Sequence, residues 1–137
     1  MTAPFTGGCA CGGVRYEVTA EPAFAVNCHC KDCQRATGGQ MATLAAVPKS
    51  AFRLTEGSTK SFGYIGDSGK PLQRHFCADC GSRLFSNVEA MPDMVFVSAG
   101  SMDDASWLKP QMHIYASSAQ PWATIPPDAK VFPKMPA

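Results

Sequence analysis

At 137 residues, with a formal net charge of +1, 45% hydrophobic and 17% charged residues, the chain reads as one ordinary globular domain, 1–137, with a modest core. The near-neutral balance and 9% aromatic content give no electrostatic case for nucleic acid, and no apolar run approaches the ~20 residues of a membrane span. The start, MTAPFTGGCA, has neither a basic stretch nor an apolar h-region, so the cytoplasm is the expected location.

In chain order, GVRYEV (13–18) alternates and is rich in β-branched and aromatic residues, which predicts a strand. FAVNCHC (24–30) starts extended, and KDCQRATGG after it predicts a helical turn closed by Gly38 and Gly39. Further strands are predicted at 41–48, 52–55, 60–65, 72–77, 83–88 and 94–100, each short and bounded by Gly, Pro or polar residues. MDDASW (102–107) predicts a second short helix, and the Pro-rich tail QPWATIPPDAKVFPKMPA is expected to wrap the surface or fray. Many short strands at this spacing predict a mainly β fold of small antiparallel sheets.

The seven cysteines all fall in clusters: Cys9 and Cys11, then Cys28, Cys30 and Cys33, then Cys77 and Cys80. An odd number in a chain without an export signal argues for reduced thiols rather than disulfides. Tetrahedral zinc takes four ligands in closed structural sites and typically three protein ligands in catalytic ones. Cys9, Cys11, Cys77 and Cys80 form the natural closed set, joining the start of the chain to its second half. Cys28, Cys30 and Cys33 are left as three corners of a tetrahedron with one open position. Closure of the triplet by His29, His75 or His113 is the alternative, and a redox Cys-x-x-Cys pair is a third reading. His29 lies between two candidate ligands, and extended backbone would point it away from them. His75 alternates with Cys77 and either supports that metal site from behind or simply packs. His113 reads as a structural histidine.

Charge decides what an open site would do. Zinc with three thiolates carries about one net negative charge, so bound hydroxide would be weakly activated, whereas a soft thiolate suits it. The triplet therefore reads as a thiol activator more than a hydrolase. Lys31, Arg35 and Arg74 are candidates to offset the added charge and hold substrate carboxylates.

Five stretches in order, GGCACGGVRYEV, NCHCKDCQRATGG, RHFCADCGSRLF, VSAGSMDD and HIYASSAQPW, resemble the glutathione-dependent formaldehyde-activating family, which includes the centromere protein V group. The resemblance implies a β-tent, small antiparallel sheets around zinc. It implies two zinc ions per chain, a structural one on Cys9, Cys11, Cys77 and Cys80 and a catalytic one on Cys28, Cys30 and Cys33. The implied activity is carbon–sulfur lyase chemistry that joins formaldehyde to glutathione as S-hydroxymethylglutathione. Glutathione or another thiol and a small aldehyde are the expected partners. Gln34, Arg35, Thr37 and Gly38 are candidate glutathione contacts because they follow the triplet. The competing expectation is a non-enzymatic zinc module that recognises a protein.

Overall fold

The computed structural model describes residues 3–136. It is mainly β, with two sheets of unequal size. The smaller sheet is antiparallel, in the order β1 (Phe5–Gly8), β2 (Arg15–Val18), β5 (Phe52–Glu56). The larger has eight strands. Its order is β11 (Lys130–Val131), β10 (Met112–Ile114), β3 (Phe24–Cys28), β4 (Ala42–Pro48), β9 (Met94–Ser98), β8 (Arg83–Val88), β7 (Pro71–Phe76), β6 (Lys60–Ile65). All its pairings are antiparallel except β10 with β3 and β10 with β11. One helix, α1 (Lys31–Thr37), follows β3 directly.

The centre of the larger sheet is buried on both faces. Along β4, Ala42, Leu44 and Ala46 project to one side and Ala45 and Val47 to the other; along β9, Phe96 opposes Val95 and Val97. Two cores result. The first packs Ala45, Val47, Val95 and Val97 with Phe5, Tyr16 and Val18 of the smaller sheet, and it contains Cys9 and Cys77. The second packs Leu44, Ala46 and Phe96 with Val26 and Ile114, and it contains Cys28 and Cys33. The two cysteine clusters therefore lie on opposite faces of one sheet. A nearly continuous apolar stretch such as ATLAAV, broken only by the half-buried Thr43, is what burial on both faces requires.

One segment differs from the sequence reading, the tail follows it, and three short strands add to it. Residues 102–107 form no helix, because their polar groups are taken elsewhere. Asp103 donates its N–H to Thr6, and its carboxylate accepts from Thr6 Oγ1 (2.6 Å) and pairs with Arg15. Asp104 accepts from the Ser106 N–H and the Trp107 indole, local bonds that compete with helix formation. The same segment lays Met102 and Trp107 on the first core, with the Trp107 ring 5.0 Å from Phe5. The Pro-rich tail wraps the molecule and passes through β11, after which the Phe132 N–H donates to His113 O and the ring packs on the second core. β1, β10 and β11 are strands that local pattern did not announce. No helix among the described residues is long and apolar enough to cross a membrane.

The Asp103 tether makes a pH prediction. Arg15 and Thr6 hold its carboxyl at about 2, below the usual value of 3.8. A carboxyl lowered on folding contributes stability that is present above its unfolded pKa and lost as pH falls through the folded one. Asp103→Asn should cost about 0.5 kcal/mol at neutral pH, a small amount because solvent screens this exposed pair. Denaturant titrations of the two proteins should converge as pH falls from about 4 to about 2.

Candidate functional site

The four-cysteine cluster is built from two hairpin ends. Cys9 and Cys11 sit in the turn between β1 and β2, and Cys77 and Cys80 in the turn between β7 and β8. Each turn closes on itself through backbone bonds, Cys9 N–H to Val14 O and Cys77 N–H to Ser82 O. Each also carries a glycine in the left-handed region, Gly12 and Gly81, a conformation that a side chain would strain. The Ala10 N–H donates to Ser82 Oγ and locks one turn to the other. All four sulfurs lie within 4.8 Å of one another. Ser82, through its hydroxyl and its N–H, holds the Cys80 thiol down to about 5, and the Val14 N–H lowers Cys9. The Gly13 N–H favours the Cys11 thiolate, but Cys9, Cys77 and Cys80 together push that thiol up to about 12. Four sulfurs this close cannot all ionise without a cation among them, and a divalent ion removes that conflict. The donor set fits a closed tetrahedral metal site.

The triplet is assembled by one continuous segment. Cys28 ends β3, Cys30 is the N-cap of α1, and Cys33 lies in its first turn. Cys30 Sγ accepts the Cys33 N–H at 3.3 Å, so the capping group and the candidate ligand are the same atom. The three sulfurs lie within 4.8 Å of one another, and among the described residues no histidine or carboxylate joins the group. Hydrogen bonds from Cys28 and Cys33, with two helix N–H groups, hold Cys30 at about 2. Its neighbours carry the protons. Cys28 is pushed well up by Cys30, Cys33 and burial, and Cys33 rises to about 11 because Cys30 and burial outweigh the favourable bond from Cys28.

The histidines are occupied elsewhere. His29 is fully buried, and its Nε2 lies 2.8 Å from His113 Nδ1 with the rings stacked. Thr43 donates to Asn27 Oδ1, which leaves the Asn27 amide nitrogen facing His113 Nε2 at 3.5 Å. That order assigns the proton on His113 Nδ1 to His29 Nε2 and leaves His29 Nδ1–H buried without a partner. Burial lowers the pKa of both rings, which keeps them neutral. His75 does not support the four-cysteine site. It stacks on Phe85 at 4.4 Å between Thr59 Oγ1 and Asn87 Nδ2.

Of the four residues after the triplet, Gln34 is buried and its amide is spent: Nε2 donates to His29 O and Ser118 O, and Oε1 accepts from Gln120. Thr37 Oγ1 donates to Cys33 O, and Gly38 is the left-handed C-cap. Arg35 is exposed in the last turn. None of the four lines the cavity of about 200 Å³ that opens onto the triplet.

That cavity brings in residues with no sequence signal. Arg83, Ser86, Tyr64 and Tyr115 line it with the three cysteines. Arg83 is re-aimed by a bulge: His75 pairs with Phe85 but Phe76 pairs with Arg83, so Leu84 is the extra residue. Plain alternation would put Arg83 on the face of Phe85; the bulge sends Leu84 into the first core and Arg83 to the triplet side. Its Nε and Nη1 are buried without partners, and its charge favours the Cys33 thiolate. Arg74 reaches the site only through Tyr64, donating to its hydroxyl at 2.7 Å and lying over its ring.

Residues 4–118 match the family model described as glutathione-dependent formaldehyde-activating enzyme. The chain belongs to this family. It is 31% identical over 83% of its length to a Penicillium rubens protein, and 30% identical over 85% to one from Fusarium vanettenii. Both are named, provisionally, glutathione-dependent formaldehyde-activating enzymes. The chain spans less than two thirds of their own length, 63% and 66%. A crystal structure of a Rhodobacter sphaeroides protein matches with a TM-score of 0.57 and 25% identity, covering 72% of this chain and 87% of that one. Within the family, then, this chain pairs a cysteine set shared between two hairpins with a second set on the opposite face.

The two clusters should respond differently to loss of a ligand. Structural zinc contributes on the order of 10 kcal/mol to folding in small zinc domains, comparable to the whole stability of a domain. Cys77→Ser should leave a largely unfolded chain with little metal. Cys30→Ser should fold and retain about one metal per chain. Circular dichroism with metal analysis of both variants checks this, and the opposite pattern would reverse the assignment.

Proposed function

We propose that this chain is a zinc-dependent carbon–sulfur lyase that makes and breaks a thiol–aldehyde adduct, in the manner of an S-hydroxymethylglutathione synthase. The observation that carries the reading is the triplet itself: three sulfurs within 4.8 Å, no fourth protein ligand among the described residues, and a cavity opening onto them. Glutathione and formaldehyde are the substrates that the relatives' names suggest.

Cys28, Cys30 and Cys33 would hold the working zinc, and Cys9, Cys11, Cys77 and Cys80 a structural one. Zinc bound to three thiolates supplies a soft electrophile that keeps a substrate sulfur deprotonated at neutral pH. The chain's own residues do the rest. The cap at Cys30 and the burial of Cys28 and Cys33 orient the three sulfurs before substrate arrives. Arg83 adds positive charge beside a site that becomes more negative with each thiolate. The apolar wall excludes water, which would compete for the carbonyl carbon.

In the forward direction a carbon–sulfur bond forms as the sulfur adds to the carbonyl carbon. The carbonyl π pair moves to oxygen, which takes a proton from solvent in place of the one the thiol gave up to solvent on binding as thiolate. The reverse step returns that proton and releases the thiolate. Arg35, exposed at the end of α1, is the one of the four residues after the triplet with a charge to offer a tripeptide carboxylate. All seven thiols are free, as metal ligands must be, which favours a reducing compartment such as the cytoplasm.

Cobalt tests the reading, because it accepts the same tetrahedral thiolate set. Glutathione added to the cobalt-substituted protein should change the thiolate-to-metal absorption, and Cys30→Ser should abolish the change while replacing His29 or His113 with Ala should not. A spectrum indifferent to every thiol would instead make the chain a non-enzymatic metal module that recognises a protein.

A further inference from the structure

The cavity over the triplet has an apolar wall that the substrates suggested by the family name would leave unused. Its apolar wall is Val26, Leu44, Leu72, Val88, Phe96 and Ile114, from six strands of the larger sheet. Arg83 is its single cationic side chain, whereas Asp32 and Asp67 both stand in its lining. Glutathione carries two carboxylates and an ammonium, which gain nothing from this wall and would have to stay outside it. Formaldehyde has no carbon beyond its carbonyl and would leave the walls facing nothing. A cavity of about 150 Å³ takes up benzene, so the roughly 200 Å³ here has room for a group of that size.

Two further segments border this space. Tyr115 lines it while holding φ at 54°, a left-handed conformation that bulky residues rarely adopt. Met135 of the tail lines it too, and Lys134 beside it pairs with Asp67 of the β6–β7 turn at 3.7 Å. The tail is anchored there by the N–H groups of Tyr115, Ala116 and Ser117, which donate to Lys134, Phe132 and Pro133.

We propose that the adduct handled here carries a compact apolar group, about the size of a phenyl ring or a short alkyl chain, next to the reacting carbon–sulfur bond. The inference rests on the zinc–thiolate reading above and names its substrate class. The apolar group belongs to the thiol or to the aldehyde, and separate measurements distinguish the two.

In the thiol arm, phenylmethanethiol, 2-mercaptoethanol and glutathione are titrated into the cobalt-substituted protein at one pH. Phenylmethanethiol should bind about tenfold or more tightly than either of the others. In the aldehyde arm, the zinc-loaded protein is given glutathione with benzaldehyde, hexanal or formaldehyde, and adduct formation is followed by NMR. There the apolar aldehydes should be favoured by a similar factor. Toluene, which has no sulfur, should raise the melting temperature of the zinc-loaded protein in either case. Leu72→Asn should erase the preference and the toluene effect, and Val88→Thr, equal in volume, should weaken both.

A preference in one arm together with the toluene shift supports the proposal and assigns the group to that partner. If glutathione perturbs the cobalt as strongly as phenylmethanethiol, formaldehyde outruns the apolar aldehydes and toluene does nothing, the proposal is overturned while the lyase reading stands. If no thiol perturbs the cobalt, the lyase reading falls and takes this proposal with it.

Discussion

Four sulfurs from two distant hairpin ends are brought within 4.8 Å of one another, and the placement of the two sheets depends on that. Cys9 and Cys11 belong to the smaller sheet, Cys77 and Cys80 to the larger. Two of these sulfurs are buried in the shared core, so the junction is part of the packing and not an ornament on the surface. Sixty-five residues separate Cys11 from Cys77, a long loop to close by apolar contacts alone. A metal ion at this junction would stabilise the fold directly and relieve the mutual repulsion of the thiolates.

From that junction the larger sheet runs on as a partition. Its central strands, β4 and β9, are apolar on both faces, and the small side chains of Ala42, Ala45 and Ala46 let elements approach closely from either side. One face carries the smaller sheet and the four-cysteine cluster. The other carries α1, the triplet and the cavity. This separation lets one cluster be complete in its own four sulfurs while the other keeps an approach for a ligand.

The functional face is where regular structure breaks down. The bulge at Leu84 turns Arg83 toward the triplet, Tyr115 occupies a left-handed conformation, and His29 is buried with one nitrogen lacking a partner. Each feature costs stability that the surrounding packing offsets. Arg83 shows the use of such a feature most clearly. Two unpartnered guanidinium nitrogens in the interior are unfavourable alone, but their charge favours ionisation of the sulfurs beside them.

The sequence by itself determined whatever depends on spacing along the chain. Seven thiols separate into four and three because Cys-x-Cys, Cys-x-Cys-x-x-Cys and Cys-x-x-Cys set how far apart sulfurs can lie. The helix after the triplet is legible in KDCQRATGG because its cap and its terminating glycine are local. Alternation and apolar runs disclosed eight of the strands, and they failed for β1, whose FTGG carries two glycines, and for β10 and β11, which exist only through pairing. Tertiary structure alone decided the rest. Side-chain alternation says which residues share a face, not which face meets which partner, and a single bulge reverses it, as at Arg83. Residues 102–107 lost their predicted helix to bonds with β1 and β2, contacts invisible at short range. The cavity wall draws on residues from Val26 to Met135, so its apolar character could be read only once the strands that carry them had been registered against one another.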